Sequence, residues 1–161
     1  MLKTQIKVLL ACFFLFISIS RSNALALDEE TRLVPINDSG RKVLLTPQEL
    51  KRGKRLFNNV CATCHVGGLT KTNPNIGLDM ESLNSANPPL TNIRNLMLYF
   101  YEPTSFDGRR GPNEVHPSIR DSDLFPKMRT FTYNDLFYVA GHILVQAKVG
   151  NEKWGGGKIY Y

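Results

Sequence analysis

Cys61 and Cys64 are separated by Ala62 and Thr63 and followed directly by His65. This Cys-X-X-Cys-His run is the signature of covalent c-type haem attachment. The spacing has a physical basis: each thiol can form a thioether with one vinyl group of the same porphyrin, which carries the adjacent imidazole under the iron. A porphyrin held this way constrains everything else. The chain must supply a sixth iron ligand, helices that shield the ring and loops that wrap its edge. The motif therefore implies one covalently attached haem c, with His65 as an axial ligand.

Two other uses of the cysteine pair fit the sequence poorly. A tetrahedral zinc site needs further ligands at motif spacing, and His116 and His142 are too widely separated to form the usual pair. A thioredoxin-like pair opens a helix within a strand-helix-strand unit. Here the pair follows a helical pattern and is trailed by loop residues.

Lys3 and Lys7 precede an apolar run, Val8 to Ile19, which leads through Arg21 to the small residues of Ala24-Leu25-Ala26. Residues 1–26 read as a cleaved export signal, because the run is short of the ~20 residues that span a bilayer. Removing it takes three basic residues and no acid, so the net charge falls from +6 to +3, seventeen basic residues against fourteen acidic. Cys12 goes too, leaving Cys61 and Cys64 as the only thiols of residues 27–161. This length suits a single domain whose small core a buried porphyrin would enlarge. A charge so modest and dispersed gives no footprint for nucleic acid.

Leu33 to Ile36 and Val43 to Leu45 flank Asn37-Asp38-Ser39-Gly40, a hairpin pattern with Pro35 confining its strand to an edge. Thr46-Pro47-Gln48-Glu49 forms a capping box with proline at the first helical position. Leu50, Gly53, Phe57 and Val60 then recur on one helical face, and Gly53 implies a close crossing, for which Ala140-Gly141 offers a small surface. A short helix is expected around Met80 to Asn84, and a longer one from a Thr91 cap through Ile93, Leu96, Met97 and Phe100 to Pro103. After a long loop over 103–131, Thr132 and Asp135 cap a last helix with Leu136, Val139, Ala140 and Ile143 as its stripe. The fold class is mainly α, a small cytochrome c fold with crossed amino- and carboxy-terminal helices, a β-hairpin extension and a long haem-wrapping loop.

The loop after His65 is rich in glycine, threonine, asparagine and proline. Thr70, Thr72 and Asn73 are candidate donors to the haem propionates, and the Pro74 carbonyl a candidate acceptor from His65, against a plain turn role for all four. For the sixth ligand the residues offer His116, Met128, His142 and Met97. His142 lies about 100–140° from the last helix's apolar stripe and is expected to face solvent or a polar neighbour. Met97 is explained by core packing. His116, presented from extended backbone by Pro117, and Met128, suited to the common His/Met arrangement, remain equal candidates on the residues alone.

Several segments, taken together, resemble the cytochrome c-550 family, the extrinsic haem subunit of photosystem II. They are Cys61 to Gly68, Thr70 to Pro74, Glu114-Val115-His116-Pro117-Ser118, Phe125 to Arg129, Ala140 to Leu144 and the ending Trp154 to Tyr161. The resemblance runs over essentially the whole chain. It implies bis-histidine ligation with His116 as the second axial residue and Met128 in the haem pocket. Two imidazoles imply a lower potential than His/Met ligation and leave no open position for oxygen or peroxide, so no enzyme activity or small-molecule substrate is expected.

The resemblance also implies a peripheral subunit in the thylakoid lumen. Its partners would be the photosystem II core and other extrinsic subunits, where it stabilises the manganese-calcium cluster and its calcium and chloride. The mild basicity fits a plastid copy better than an acidic cyanobacterial one. The tail is expected over about 148–161; from Trp154 onward it is too glycine-rich for a helix, and Trp154, Lys158, Ile159, Tyr160 and Tyr161 are expected to dock it. The alternative is a soluble electron-carrier cytochrome c.

Overall fold

The computed structural model describes residues 27–109, 116–150 and 153–155. The expected export signal lies outside them. Among the described residues the elements are α1 (Glu29–Arg32), β1 (Leu33–Pro35), β2 (Lys42–Leu44), α2 (Pro47–Val60), α3 (Met80–Ser85), α4 (Ile93–Tyr101) and α5 (Tyr133–Gly150). Single 3-10 turns lie at Val66–Gly68 and Pro126–Met128. The mainly helical class stands, with one small two-stranded sheet.

The hairpin closes as its turn residues dictate. β1 and β2 pair antiparallel with Val34 opposite Val43. The Asn37 side chain accepts the Ser39 N–H at 3.1 Å, and Gly40 takes a left-handed φ of 79°. Val34 points into the core while Leu33 and Leu44 stay outside, the two-residue alternation of a strand with one buried face.

Both long helices begin with the same device. In α2 the Glu49 N–H donates to Thr46 Oγ1 at 3.2 Å while the Thr46 N–H donates to Glu49 Oε2 at 2.7 Å. In α5 the Asp135 N–H donates to Thr132 Oγ1 at 3.2 Å and the Thr132 N–H to Asp135 Oδ2 at 3.1 Å. Each reciprocal pair satisfies donors that a helix start leaves orphaned, worth about 1 kcal/mol. The other Asp135 oxygen takes the Arg52 guanidinium at 3.1 Å, which fastens the start of α5 to α2. The α4 cap is Asn92, not the expected Thr91: Asn92 Oδ1 accepts the Asn95 N–H at 2.9 Å.

α2 and α5 cross at Gly53, but not against the expected surface. A β-carbon on Gly53 would lie 2.1 Å from the Tyr138 carbonyl oxygen and 3.0 Å from His142 Cβ. Gly141 serves a different contact, where a β-carbon would lie 2.6 Å from Leu45 Cδ1. Around the crossing Leu45, Phe57, Ile93, Leu96, Leu136 and Leu144 are fully buried, each side chain contributing roughly 2–3 kcal/mol. His142 overturns its expected position. It is only 4% exposed, with its ring 5.4 Å from Phe57 and 5.9 Å from Trp154. The reason is that α5 is covered on more than one side, so residues off its main stripe are buried too. Among the described residues no helix is long and apolar enough to cross a membrane.

Candidate haem site

α2 runs straight into the cysteine motif. Cys61 caps the helix with its N–H on the Phe57 carbonyl at 2.8 Å, and the chain then turns tightly, placing the N–H groups of Cys64 and His65 on the Cys61 carbonyl at 3.1 and 2.8 Å. Both cysteines and the histidine therefore leave one turn at the end of a rigid helix. The thiols are free of any disulfide, Cys61 partly buried and Cys64 exposed. Burial, with Cys64 adding, pushes the Cys61 thiol up to about 12. A thiol that keeps its proton is a poor nucleophile for disulfide exchange and a poor thiolate ligand.

The fold brings the His65 and His116 rings together. Their ring centroids lie 5.8 Å apart with 37° between planes. The separation tests whether a metal fits: imidazole nitrogens bond first-row metals at about 2 Å, and adding a ring radius on each side puts two opposed centroids roughly 6 Å apart. The observed 5.8 Å is compatible with one metal ion shared by the two rings. Each ring also has its Nδ1 engaged. His116 Nδ1–H donates to the Pro117 carbonyl at 2.7 Å, and His65 Nδ1 lies 3.2 Å from Thr70 Oγ1. In both rings Nε2 is left for a metal. Burial, with His116 adding, lowers the His65 pKa to about 4, and burial lowers that of His116 against the opposing Pro117 hydrogen bond. Both imidazoles are thus held neutral, the form that ligates.

The remaining expected contacts divide. Thr70 meets His65 itself, and the contact foreseen for the Pro74 carbonyl falls to its hydroxyl. Thr72 and Asn73 are exposed. Asn73 Oδ1 accepts the Asn75 N–H at 3.3 Å and the Asn73 N–H donates to the Thr70 carbonyl at 3.1 Å, the bonds of a turn. Met128 is buried in its 3-10 turn yet stands apart from the contiguous helix core.

The model of the cytochrome c-550 domain matches residues 25–161. The chain belongs to the cytochrome c-550 family. Photosystem II extrinsic protein V of Gracilaria tenuistipitata var. liui is 61% identical over 138 residues, 86% of this chain and 84% of that one. The protein of the same name from Emiliania huxleyi is 57% identical over 153 residues, 95% and 93% of the two chains. Among solved structures, the crystal structure of cytochrome c549 matches with a TM-score of 0.76 at 47% identity, covering 80% of this chain and 99% of that one.

For a cytochrome c-550 the group to be held is haem c, and the opposed imidazoles beside two free thiols match its donor requirements. Two features of the cytochrome lay beyond the sequence. Tyr99 of α4 sets its ring 5.1 Å from that of His116 at 61°. Its place in a helical pattern read only as part of an apolar segment. Trp154 is the second, and here the expectation is corrected. It is 9% exposed and packs its ring 5.4 Å from Phe57, so it belongs to the core and is not an exposed docking anchor. Its partner lies almost a hundred positions earlier, and no local pattern announces such a contact. Lys158, Ile159, Tyr160 and Tyr161 lie outside the described residues.

Proposed function

We propose that this cytochrome carries one haem c, joined through thioethers to Cys61 and Cys64 and ligated by His65 and His116. It serves as an extrinsic subunit on the lumenal side of photosystem II. The observation that carries the reading is the approach of two imidazoles to 5.8 Å, each with its Nδ1 already in a hydrogen bond. When bound, the haem supplies a one-electron couple between ferric and ferrous iron. The protein's part is to hold both rings in place through the change, so little reorganisation accompanies it. His65 and His116 would hold the iron through two nitrogens, which would favour the ferric state relative to a histidine-methionine pair and give a low potential. Peroxide and oxygen find no open position, which suits electron exchange or a structural role and not substrate turnover.

Docking is supported by relatives that bear the name photosystem II extrinsic protein V. On this reading the cytochrome is a peripheral lumenal protein that stabilises the manganese-calcium cluster and its calcium and chloride. Residues 1–26 direct its export, Thr72, Asn73 and Met128 line the haem surroundings, and Lys158 to Tyr161 engage the photosystem. Because Trp154 is a core residue, the test removes only residues 156–161. The truncated holoprotein should keep its haem spectrum and rebind cytochrome-depleted photosystem particles more weakly. Unchanged affinity would overturn the docking role of the tail, and absence of tight binding by the intact protein would favour a soluble electron carrier.

A further inference from the structure

Trp154 and Gly155 do more than end the core. The Trp154 ring packs against both Phe57 of α2 and His142 of α5, which also touch each other, and its Nε1–H donates to the Leu78 carbonyl at 3.1 Å. The Gly155 N–H donates to the Gly67 carbonyl at 3.0 Å, and the Leu78 N–H donates to the Gly68 carbonyl at 2.7 Å. Both ends of the segment 66–79 are therefore gathered at one point by two residues from the far end of the chain.

The fit leaves no room for side chains. A β-carbon on Gly155 would lie 2.6 Å from Leu78 N and 2.7 Å from Gly68 O, and one on Gly77 would lie 2.2 Å from Gly155 O. Gly155 and Gly68 also take φ of 70° and 81°, a region that β-carbons disfavour.

The gathered loop starts at His65. Its base is tied back by the Gly68 N–H on the His65 carbonyl at 3.1 Å and the Lys71 N–H on the Cys64 carbonyl at 2.9 Å. Between these ties stands Thr70, with Oγ1 3.2 Å from His65 Nδ1. These local ties fix the base of the loop, while its far end, Gly77 and Leu78, is held by Trp154 and Gly155, so the register of Thr70 is set from both ends.

We propose that Trp154 and Gly155 are positioning residues for the haem site: they clamp the loop 66–79 so that Thr70 stays hydrogen-bonded to Nδ1 of His65. The inference rests on His65 being an iron ligand. With Nε2 on the metal, Nδ1–H donates to Thr70, and that bond strengthens the imidazole as an electron donor and stabilises the ferric state. Loosening the clamp weakens the bond and raises the midpoint potential.

The test is a double-mutant cycle on the holoprotein, read by redox titration. Thr70→Val should raise the midpoint potential, Gly155→Ala should raise it by a similar amount, and the double variant should match Thr70→Val alone, since both changes remove one interaction. Trp154→Phe keeps a ring but loses the donor to Leu78, and should give a smaller rise. It decides the matter if Gly155→Ala does not fold. Val34→Ala, a cavity in the hairpin face of the core, should lower the melting temperature and leave the potential unmoved. Additive shifts, a wild-type potential in the clamp variants, or no shift in Thr70→Val would each overturn the proposal. Failure of the ligation reading is a separate result: His65→Met would then keep the wild-type spectrum.

Discussion

The crossing of α2 and α5 at Gly53 makes a prediction whose sign separates two accounts. An exposed helical glycine replaced by alanine should stabilise the protein by ~1 kcal/mol through helix propensity alone. At Gly53 the added carbon would stand 2.1 Å from the Tyr138 carbonyl oxygen, a backbone atom that no rotamer change can move. Contact requires the two helices to part by about 1 Å, which costs at least the upper end of the ~1–3 kcal/mol typical of overpacking. The net is a destabilisation of roughly 2 kcal/mol or more, a fall in melting temperature on the order of 5–10 °C for a domain this size. Thermal melts of wild-type and Gly53→Ala holoprotein by far-ultraviolet circular dichroism measure it. A melting temperature unchanged or raised would refute the close crossing.

Two further predictions concern buried ionisable groups. Asp135→Asn weakens both the Thr132 cap and the Arg52 ion pair, and should cost about 1–2 kcal/mol in denaturant unfolding at neutral pH. Burial pushes the Asp135 carboxyl up, but Thr132 and Arg52 outweigh it and hold its pKa below 3.8, so the wild-type advantage should persist above about pH 4 and vanish as pH falls through the folded value. His142 behaves oppositely. Burial, with Lys54 adding, lowers its pKa from 6.5 to about 4, so the folded state resists a proton that the unfolded chain accepts. Its burdening effect is absent above pH 6.5 and grows as pH falls toward 4. His142→Leu should therefore flatten the stability profile between those values, and an unchanged slope would contradict the burial of the ring.

What the sequence made legible was local. Thr46 with Glu49 and Thr132 with Asp135 lie three residues apart, and Asn37 to Gly40 encode their own turn, so helix starts and hairpin could be read without tertiary information. The Asn92 cap in place of Thr91 is a shift of one residue between neighbours of similar capping strength. The misreadings were long-range. A helical wheel assumes one buried face, and α5 has more than one, which hid His142. Leu45 claimed the Gly141 surface, and Phe57 claimed Trp154, through contacts between segments far apart in the chain. At the site, the cysteine motif named His65 at once, while the residues alone left His116 and Met128 level. The pairing of rings across 5.8 Å is a property of the folded loop, which no spacing rule supplies.

The claim at the centre is that two imidazoles grip one iron. Redox titration of His116→Met holoprotein against wild type tests it most directly, because exchanging the second imidazole for a thioether changes the ligand and leaves the thioether attachments alone. A substantial rise in midpoint potential is the expected result. A potential equal to that of the wild type would mean that His116 does not hold the metal.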